Sequence, residues 1–216
     1  HKALRDKSIE FDDVVKMGRT QLQDAVPIRL GQSFGAYAAV IERDIQRIKN
    51  LEEELKILNI GATAVGTAIN VNPVYLFHII HNINLVCGTD CSQAENLFDA
   101  TQNLDGFVHT SATLKVCAVN LSKICNDLRL LSSGPRAGLG EINLPPKQNG
   151  SSIMPGKINP VIPEVVSQVA YNVIGNDVTV TMAAEAGQME LNAFEPVIFY
   201  KIFESIDTLK GAVETL

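Results

Sequence analysis

Hydrophobic side chains recur every three or four residues along four stretches of the chain, and this spacing predicts four long helices. The stretches are 34–58, 104–128, from about 160 past 173, and from about 196 to the end of the chain. The first is the most regular, because charged side chains fill the face opposite its hydrophobic stripe and Gly61 follows as a helix stop. Long amphipathic helices of this kind are typical of a helical bundle.

Alternating hydrophobic and polar positions, which indicate strands, are scarce. The exception is 14–23, where a short extended hairpin is expected before the first long helix. We therefore expect an all-α fold, an elongated bundle of long helices.

The third helix is a special case, because 161–189 is hydrophobic on several faces. A helix that is hydrophobic on all sides must be buried on all sides. Either other subunits cover it, or it forms the centre of a single bundle. Gly175 and Asn176 inside it indicate a kink or a close packing contact.

Composition narrows the class of protein. The 216 residues are 46% hydrophobic and 19% charged, a globular balance that excludes disordered and collagen-like chains. The net charge of −6, from 18 basic and 24 acidic residues, provides no basic footprint for nucleic acid. No hydrophobic run approaches the roughly 20 residues that cross a bilayer, and no signal segment opens the chain. We expect a cytoplasmic protein with neither nucleic acid nor membrane as a partner.

Cysteine and histidine give little support for a metal site. Cys87 and Cys91 lie downstream of His81, but a second pair of ligands is missing. His78 and His81 share an apolar stretch, where histidines more commonly take part in packing. The four cysteines are too few for a disulfide scaffold in a chain of this length, so free thiols are expected.

The segment richest in chemistry is the loop Gly150–Pro160. Its two glycines and two prolines exclude a regular element. It carries two hydroxyls, an ammonium group and an amide, on Ser151, Ser152, Lys157 and Asn159. Such a loop can present backbone N–H groups, a lysine and an asparagine to one anion. The alternative is a polar linker between two helices, which this concentration of different polar functions disfavours.

This loop leads into the third helix. Asn159 is placed to cap that helix and Pro160 to be its first residue, while Glu164 falls in the first turn, where the helix dipole favours a carboxylate. The loop fits none of three known templates, namely the phosphate-binding P-loop, the Ser-x-x-Lys nucleophile and the Gly-x-Ser-x-Gly elbow.

Two further polar segments are Gly18–Pro27 and Ser132–Pro145. Taken alone, the first is a solvated turn, and the second is a series of tight glycine turns packed near another element. Each contains an expected structural ion pair, Arg19–Asp24 in the first and Arg136–Glu141 in the second.

Together these segments resemble the aspartase/fumarase superfamily. Residues 150–159 match its signature G-S-S-x-M-P-x-K-x-N, which is highly specific for the superfamily. The likeness extends to 18–27, 61–70, 132–145 and 182–196, so that it spans essentially the whole chain. Within the superfamily, the motifs at 18–27, 123–138 and 160–166 look most like those of the ammonia-lyase branch.

The resemblance implies that residues 1–216 are the central helical domain of such a lyase, without its N-terminal and C-terminal domains. It implies a homotetramer in which long helices form a common core, with composite active sites drawn from three subunits. The implied reaction is the reversible anti elimination of ammonia from L-aspartate to give fumarate. It implies no organic cofactor. No residues of the sequence are predicted as metal ligands, and activation by a divalent metal is left open.

The resemblance also assigns roles to residues of the signature loop. Ser151 matches the base that removes the proton from Cβ of the substrate, and Ser152 belongs to the same flexible loop. Lys157 and Asn159 match groups that bind the substrate carboxylates. Met154 is a supporting residue.

Thr20 and Gln21 match the position that contacts substrate from a neighbouring subunit. Many superfamily members carry histidine where Gln21 stands and pair it with a glutamate that matches Glu164. With glutamine in that position, a His–Glu proton relay cannot operate. The acid that assists the leaving group is therefore unassigned, and Glu164 is retained as a supporting residue.

Three functions follow as hypotheses. The first is an ammonia-lyase, the second is a fumarate hydratase or another lyase of a succinyl substrate, and the third is a non-catalytic assembly module. The intact loop favours an enzyme for the whole protein. The 216 residues alone are expected to associate through their helices without being active.

Overall fold

The computed structural model describes all 216 residues and consists of seven helices, one β-hairpin and one very short parallel strand pair. The helices are α1 (Lys2–Glu10), α2 (Leu30–Leu55), α3 (Pro73–Cys87), α4 (Asp99–Gln102), α5 (Asp105–Leu131), α6 (Val161–Glu185) and α7 (Glu195–Thr215). The strands are β1 (Val15–Thr20), β2 (Gln23–Arg29), β3 (Ile57–Leu58) and β4 (Ser92–Gln93). The predicted all-α class is confirmed, and α2, α5, α6 and α7 are the four predicted long helices.

The first long helix differs from its prediction at both ends. It begins at Leu30 rather than Phe34, and it ends at Leu55 rather than Leu58. The end is earlier because Ile57 and Leu58 pair with β4, so their backbone groups bond to a strand instead of a helical turn. Gly61 follows with a φ of +89°, a conformation that suits glycine.

The predicted hairpin is present and extends to Arg29. Strand β1 pairs antiparallel with β2, and Thr20 lies opposite Gln23. The two turn residues, Gln21 and Leu22, have φ values of +52° and +60°. Two successive positive φ angles are what a two-residue type I′ hairpin turn requires.

The chain divides into two compact units, each built from several segments. Unit 1 comprises residues 1–46, 116–171 and 209–216, and unit 2 comprises 47–115 and 172–208. In unit 1, a buried cluster joins α2 to α5 through Leu30, Phe34, Tyr37, Ile124 and Leu128.

Unit 2 has polar as well as apolar links between its helices. Lys115 of α5 is paired with the buried Asp177 of α6 at 2.6 Å. The buried amide of Asn176 donates hydrogen bonds to Glu204 and Ser205 of α7. These contacts hold α6 in a fixed rotation within the unit.

Helix α6 is buried on one side only within this chain. Val166, Val173 and Val180 are each at most 1% exposed, whereas Val178 is 55% and Met182 65% exposed on the other side. Burial on all sides is therefore not reached within the chain. Gly175 does not interrupt the helix, and no atom lies within 4 Å of where its Cβ would be.

Helix α3 has no buried residue. Its ends are well defined, because the Asn72 side chain accepts a hydrogen bond from the N–H of Val74 at 2.9 Å and Gly88 adopts a left-handed conformation at the C-terminus. His78 and His81 on this helix are exposed, and the His78 ring meets the Phe77 ring edge to face with centroids 4.9 Å apart. None of the helices combines the length and the apolar composition that crossing a membrane requires.

Candidate active site

The signature loop and the segment that follows α5 line one open cavity in unit 1, with a volume of about 650 Å³. Lys157 and Asn159 line it from the loop, and Arg129 lines it from the last turn of α5. The segment after α5 adds two hydroxyls and an amide, from Ser132, Ser133 and Asn143. No carboxylate side chain is among the lining residues.

The charges around this cavity favour an anionic ligand. Lys157 takes part in no ion pair, so its ammonium charge is not compensated within the chain. Arg129 lies beside Glu164, with Nη2 3.7 Å from Oε1, and its buried Nε has no hydrogen-bond partner. Two cations with donors to spare, together with amide and hydroxyl groups, are suited to binding carboxylates.

Arg129 and the segment 132–143 were not predicted as part of the site. The spacing of α5 gives Arg129 the appearance of a surface residue, and only the glycine-rich turns after it indicate a close approach to another element.

Ser151 and Ser152 lie on the exposed outer part of the loop and do not line the cavity. Tight turns fix the local backbone, since the N–H of Met154 donates to the carbonyl of Ser151 at 3.1 Å. The Ser151 hydroxyl oxygen accepts a hydrogen bond from the N–H of Ile153, also at 3.1 Å. A backbone donor at this oxygen stabilises the alkoxide form that a serine base needs.

Asn159 does not cap α6, and this prediction is wrong. The helix begins at Val161, and the carbonyl of Pro160 accepts the first helical hydrogen bond, from the N–H of Glu164 at 3.2 Å. Pro160 therefore occupies the cap position. The side-chain amide of Asn159 makes no hydrogen bond in the chain and stays available to a ligand in the cavity.

Thr20 and Gln21 lie at the tip of the β1–β2 hairpin, and both are exposed. Neither lines the cavity that contains Lys157 and Asn159. Within one chain, the structure brings together the two predicted carboxylate-binding residues and leaves the hairpin tip facing outwards.

Strand β1 of the hairpin is tied to the segment after α5 by a cluster of ion pairs. Arg19 Nη1 lies 2.6 Å from Glu141 Oε1, and Lys16 Nζ lies 3.0 Å from Glu141 Oε2. Burial alone raises the pKa of Glu141, but hydrogen bonds from Arg19 and Lys16 outweigh that effect and lower it, so the carboxylate is held ionised. The predicted Arg19–Asp24 pair is present at 3.4 Å. The predicted Arg136–Glu141 pair is wrong, because both carboxylate oxygens of Glu141 face the hairpin.

Comparison with known proteins places these features in a family. A family model described as lyase matches residues 1–175. The chain belongs to this lyase family. The resemblance to the aspartase/fumarase superfamily is thereby confirmed.

The relatives of this chain include an aspartate ammonia-lyase and a fumarase. It is 58% identical over 219 residues to an aspartate ammonia-lyase of Helicobacter pylori, covering 100% of this chain and 47% of that protein. A crystal structure of a fumarate lyase:delta crystallin from Brucella melitensis bound to cobalt matches with a TM-score of 0.95 and 54% identity, over 98% of this chain and 46% of that one. A class II fumarase of Schistosoma mansoni matches with a TM-score of 0.88 but only 34% identity, over 98% of this chain and 47% of that one.

The chain spans about half the length of the relatives it matches, between 44% and 47% for the first aspartate ammonia-lyases. Identity to aspartate ammonia-lyases is well above identity to the fumarase, so the fumarase alternative has less support. The roles of Ser151, Ser152, Met154, Lys157 and Asn159 stay predictions that the comparisons do not test.

Proposed function

We propose that the protein containing this chain is an aspartate ammonia-lyase, which eliminates ammonia from L-aspartate to give fumarate in a reversible anti elimination. The observation that carries this proposal is the cavity of the signature loop, which has two cations, two amides and no carboxylate in its lining. L-Aspartate has two carboxylates, so the charge and the donors of this cavity are complementary to it.

The chemistry requires a strong base and strong stabilisation of charge. Removal of a proton from Cβ beside a carboxylate gives an aci-carboxylate with an additional negative charge. Donors aimed at that charge lower the barrier most when water is excluded. Lys157, Asn159 and Arg129 are the donors that this chain offers.

Ser151 is the proposed base. Its alkoxide is stabilised in part by the Ile153 N–H, and loop closure over the substrate would exclude water. Gly156, with a φ of +79° and open space around its Cβ position, gives the loop a point at which it can move.

The test uses the full gene product, with fumarate absorbance followed after addition of L-aspartate. S151A is expected to abolish turnover, and S92A, which removes an exposed hydroxyl on β4, is expected to retain it. Comparison with L-malate separates the two lyase functions, since only a fumarate hydratase prefers malate. Absence of aspartate-dependent fumarate, or equal turnover by wild type and S151A, would contradict the proposal.

We further propose that the protein is a cytoplasmic homotetramer with composite active sites. The exposed apolar side of α6 and the exposed Tyr200 and Phe203 of α7, which are 62% and 61% exposed, support a surface that other copies cover. M182E places a charge on this side of α6, and sedimentation of the full gene product should then shift to smaller species. An unchanged tetramer, or a wild-type protein that sediments as a monomer, would exclude this surface as the interface.

We also propose that catalysis needs no organic cofactor, because the groups named above supply both the base and the charge stabilisation. Purified protein dialysed against buffer should then retain turnover. Readdition of a divalent metal to protein treated with a chelator tests whether a metal activates it.

A further inference from the structure

We infer that Glu141 is a positioning residue that sets the hairpin tip, Thr20 and Gln21, for contact with substrate by gripping Arg19 and Lys16. This inference rests on the proposed lyase function, in which the tip contacts the substrate of a neighbouring active site. Glu141 itself touches no substrate in this scheme and acts only through the hairpin.

The backbone of Glu141 is firmly anchored. Its N–H donates to the carbonyl of Leu131, the last residue of α5, at 2.8 Å, and the N–H of Ile142 reaches the same carbonyl at 3.3 Å. The Ile142 side chain packs against the buried cluster that joins α2 to α5. Glu141 is therefore fixed to the core of unit 1 and not to a freely moving loop.

Its carboxylate uses both oxygens to hold β1. Oε1 is 2.6 Å from Arg19 Nη1, and Oε2 is 3.0 Å from Lys16 Nζ. The side chains of Lys16, Glu141 and Arg19 are only 12%, 18% and 21% exposed, so the pairs are shielded from water. Both contacts are ion pairs, and Oε2 is buried without a hydrogen-bond partner of its own. Solvent and salt screen ion pairs that are shielded from water less than they screen exposed pairs. Asp24, which is mostly exposed and 3.4 Å from Arg19, is the weaker partner.

Because of the strand geometry, the pairing of Arg19 with Glu141 also orients the residues of the hairpin tip. Arg19 immediately precedes Thr20 in β1, and successive side chains of a strand point to opposite faces. With Arg19 held towards Glu141, Thr20 faces away from the body of the unit, and Gln21 begins the turn. The register shift between Met17 and Arg19 leaves Gly18 without a strand partner, whereas Arg19 and Thr20 pair with Asp24 and Gln23.

Glu141 also belongs to the segment that lines the cavity of the signature loop. Its neighbours Gly140, Ile142 and Asn143 are part of that lining, together with Lys157 and Asn159. A single anchored residue therefore fixes the hairpin relative to the cavity wall. The hairpin tip and the cavity wall are both proposed to belong to active sites. A shift of Glu141 would therefore change the position of groups that contact substrate.

The experiment compares E141Q with D177N in the full gene product. D177N is the matched control, because Asp177 is also a buried carboxylate paired with a lysine, but it lies in unit 2 and in neither site segment. Small misplacements of a substrate-contacting group can lower rates by about 100-fold. We expect E141Q to lower kcat/KM for L-aspartate by roughly 10- to 100-fold, mainly through KM. We expect D177N to keep kcat/KM within about twofold of wild type, even if it lowers Tm as much as E141Q does.

The background variant T20A/Q21A, which removes both tip side chains, shows whether Glu141 acts through the tip. Adding E141Q to T20A/Q21A should lower kcat/KM little further, since the groups that Glu141 positions are already gone. If E141Q does not fold, R19K serves instead, because it keeps the charge but loses the guanidinium whose Nη1 and Nε reach Glu141 and Asp24 at the same time.

The outcomes are distinct. A wild-type protein without aspartate-dependent turnover overturns the proposed function and this inference together. An active wild type with E141Q or R19K no worse than D177N overturns the inference alone, as does a full additional loss on adding E141Q to T20A/Q21A.

Discussion

Asn192 is the residue whose replacement gives the sharpest test of how α6 and α7 are joined. It is only 2% exposed. Its amide nitrogen donates to the carbonyls of Ala183 and Ala184 at 3.0 and 3.1 Å, and its amide oxygen accepts from the N–H of Phe194 at 2.8 Å. One side chain thus satisfies the last turn of α6 and the approach to α7.

The expected losses follow from this inventory of bonds. N192A removes three hydrogen bonds, each with a net contribution of about 1 kcal/mol, so the free energy of unfolding should fall by about 3 kcal/mol. N192D keeps the bond from Phe194 but loses both donors. It also places a negative charge at the C-terminal end of α6, where the helix dipole disfavours it and lowers the free energy of unfolding by about a further 0.3–1 kcal/mol.

The pH dependence separates these two variants. Burial and the neighbouring carbonyl oxygens disfavour the ionised carboxyl introduced by N192D, so its pKa in the folded state is raised. The folded state then binds the proton more tightly than the unfolded state, and N192D should regain stability as pH falls through that raised value. N192A has no such group and should differ from wild type by a constant amount.

Urea unfolding at fixed protein concentration, followed by circular dichroism at several pH values, measures both effects. N82D is the matched control, because Asn82 is exposed on α3 and makes no hydrogen bond with its side chain. Its unfolding free energy should stay within about 0.5 kcal/mol of wild type. If N192D is as stable as wild type at neutral pH, or if its stability does not rise on acidification, the reasoning is refuted.

Three further predictions concern single side chains. Cys87 is exposed, whereas Cys125 is buried and burial raises its pKa to about 11. Iodoacetamide at pH 8 should therefore modify Cys87 before Cys125, as followed by mass spectrometry, and equal rates of modification would contradict this. Y37F removes a 2.8 Å hydrogen bond to the Asp127 carboxylate and should lower the unfolding free energy by about 1.5–3 kcal/mol in urea titrations. K157M should raise KM for L-aspartate by at least about 10-fold, and an unchanged KM would remove Lys157 from the site.

The long helices could be predicted from the sequence because each buries one face. The stripe of α2 that includes Phe34 and Leu51 is regular, and both residues are buried. Helix α3 could not be predicted in this way, because it buries no face and so shows no such stripe. Only the Asn-Pro pair at its start and Gly88 at its end indicate its bounds, and these are signals of its caps and not of its packing.

The candidate site was predictable where it is local. The glycines and prolines of residues 150–160 indicate the loop in the sequence, and Lys157 and Asn159 line one cavity as expected. Contacts between distant segments were not predictable. Arg136 is the nearest basic residue to Glu141 in sequence, yet Glu141 pairs with Lys16 and Arg19, because the anchoring of the segment to α5 turns its side chain towards the hairpin.

The turn at the hairpin tip also escaped prediction, because its two positions carry no glycine, asparagine or aspartate. A left-handed backbone costs an ordinary residue roughly 1–2 kcal/mol relative to glycine. Glycine at Gln21 or Leu22 would thus make a more stable hairpin than the one this chain has. The chain gives up stability at the tip in order to keep side chains there, and Leu22 is 70% exposed, so its side chain gains no burial within the chain. Trades of stability against side-chain identity of this kind are found where a protein's surface has been selected for what it touches.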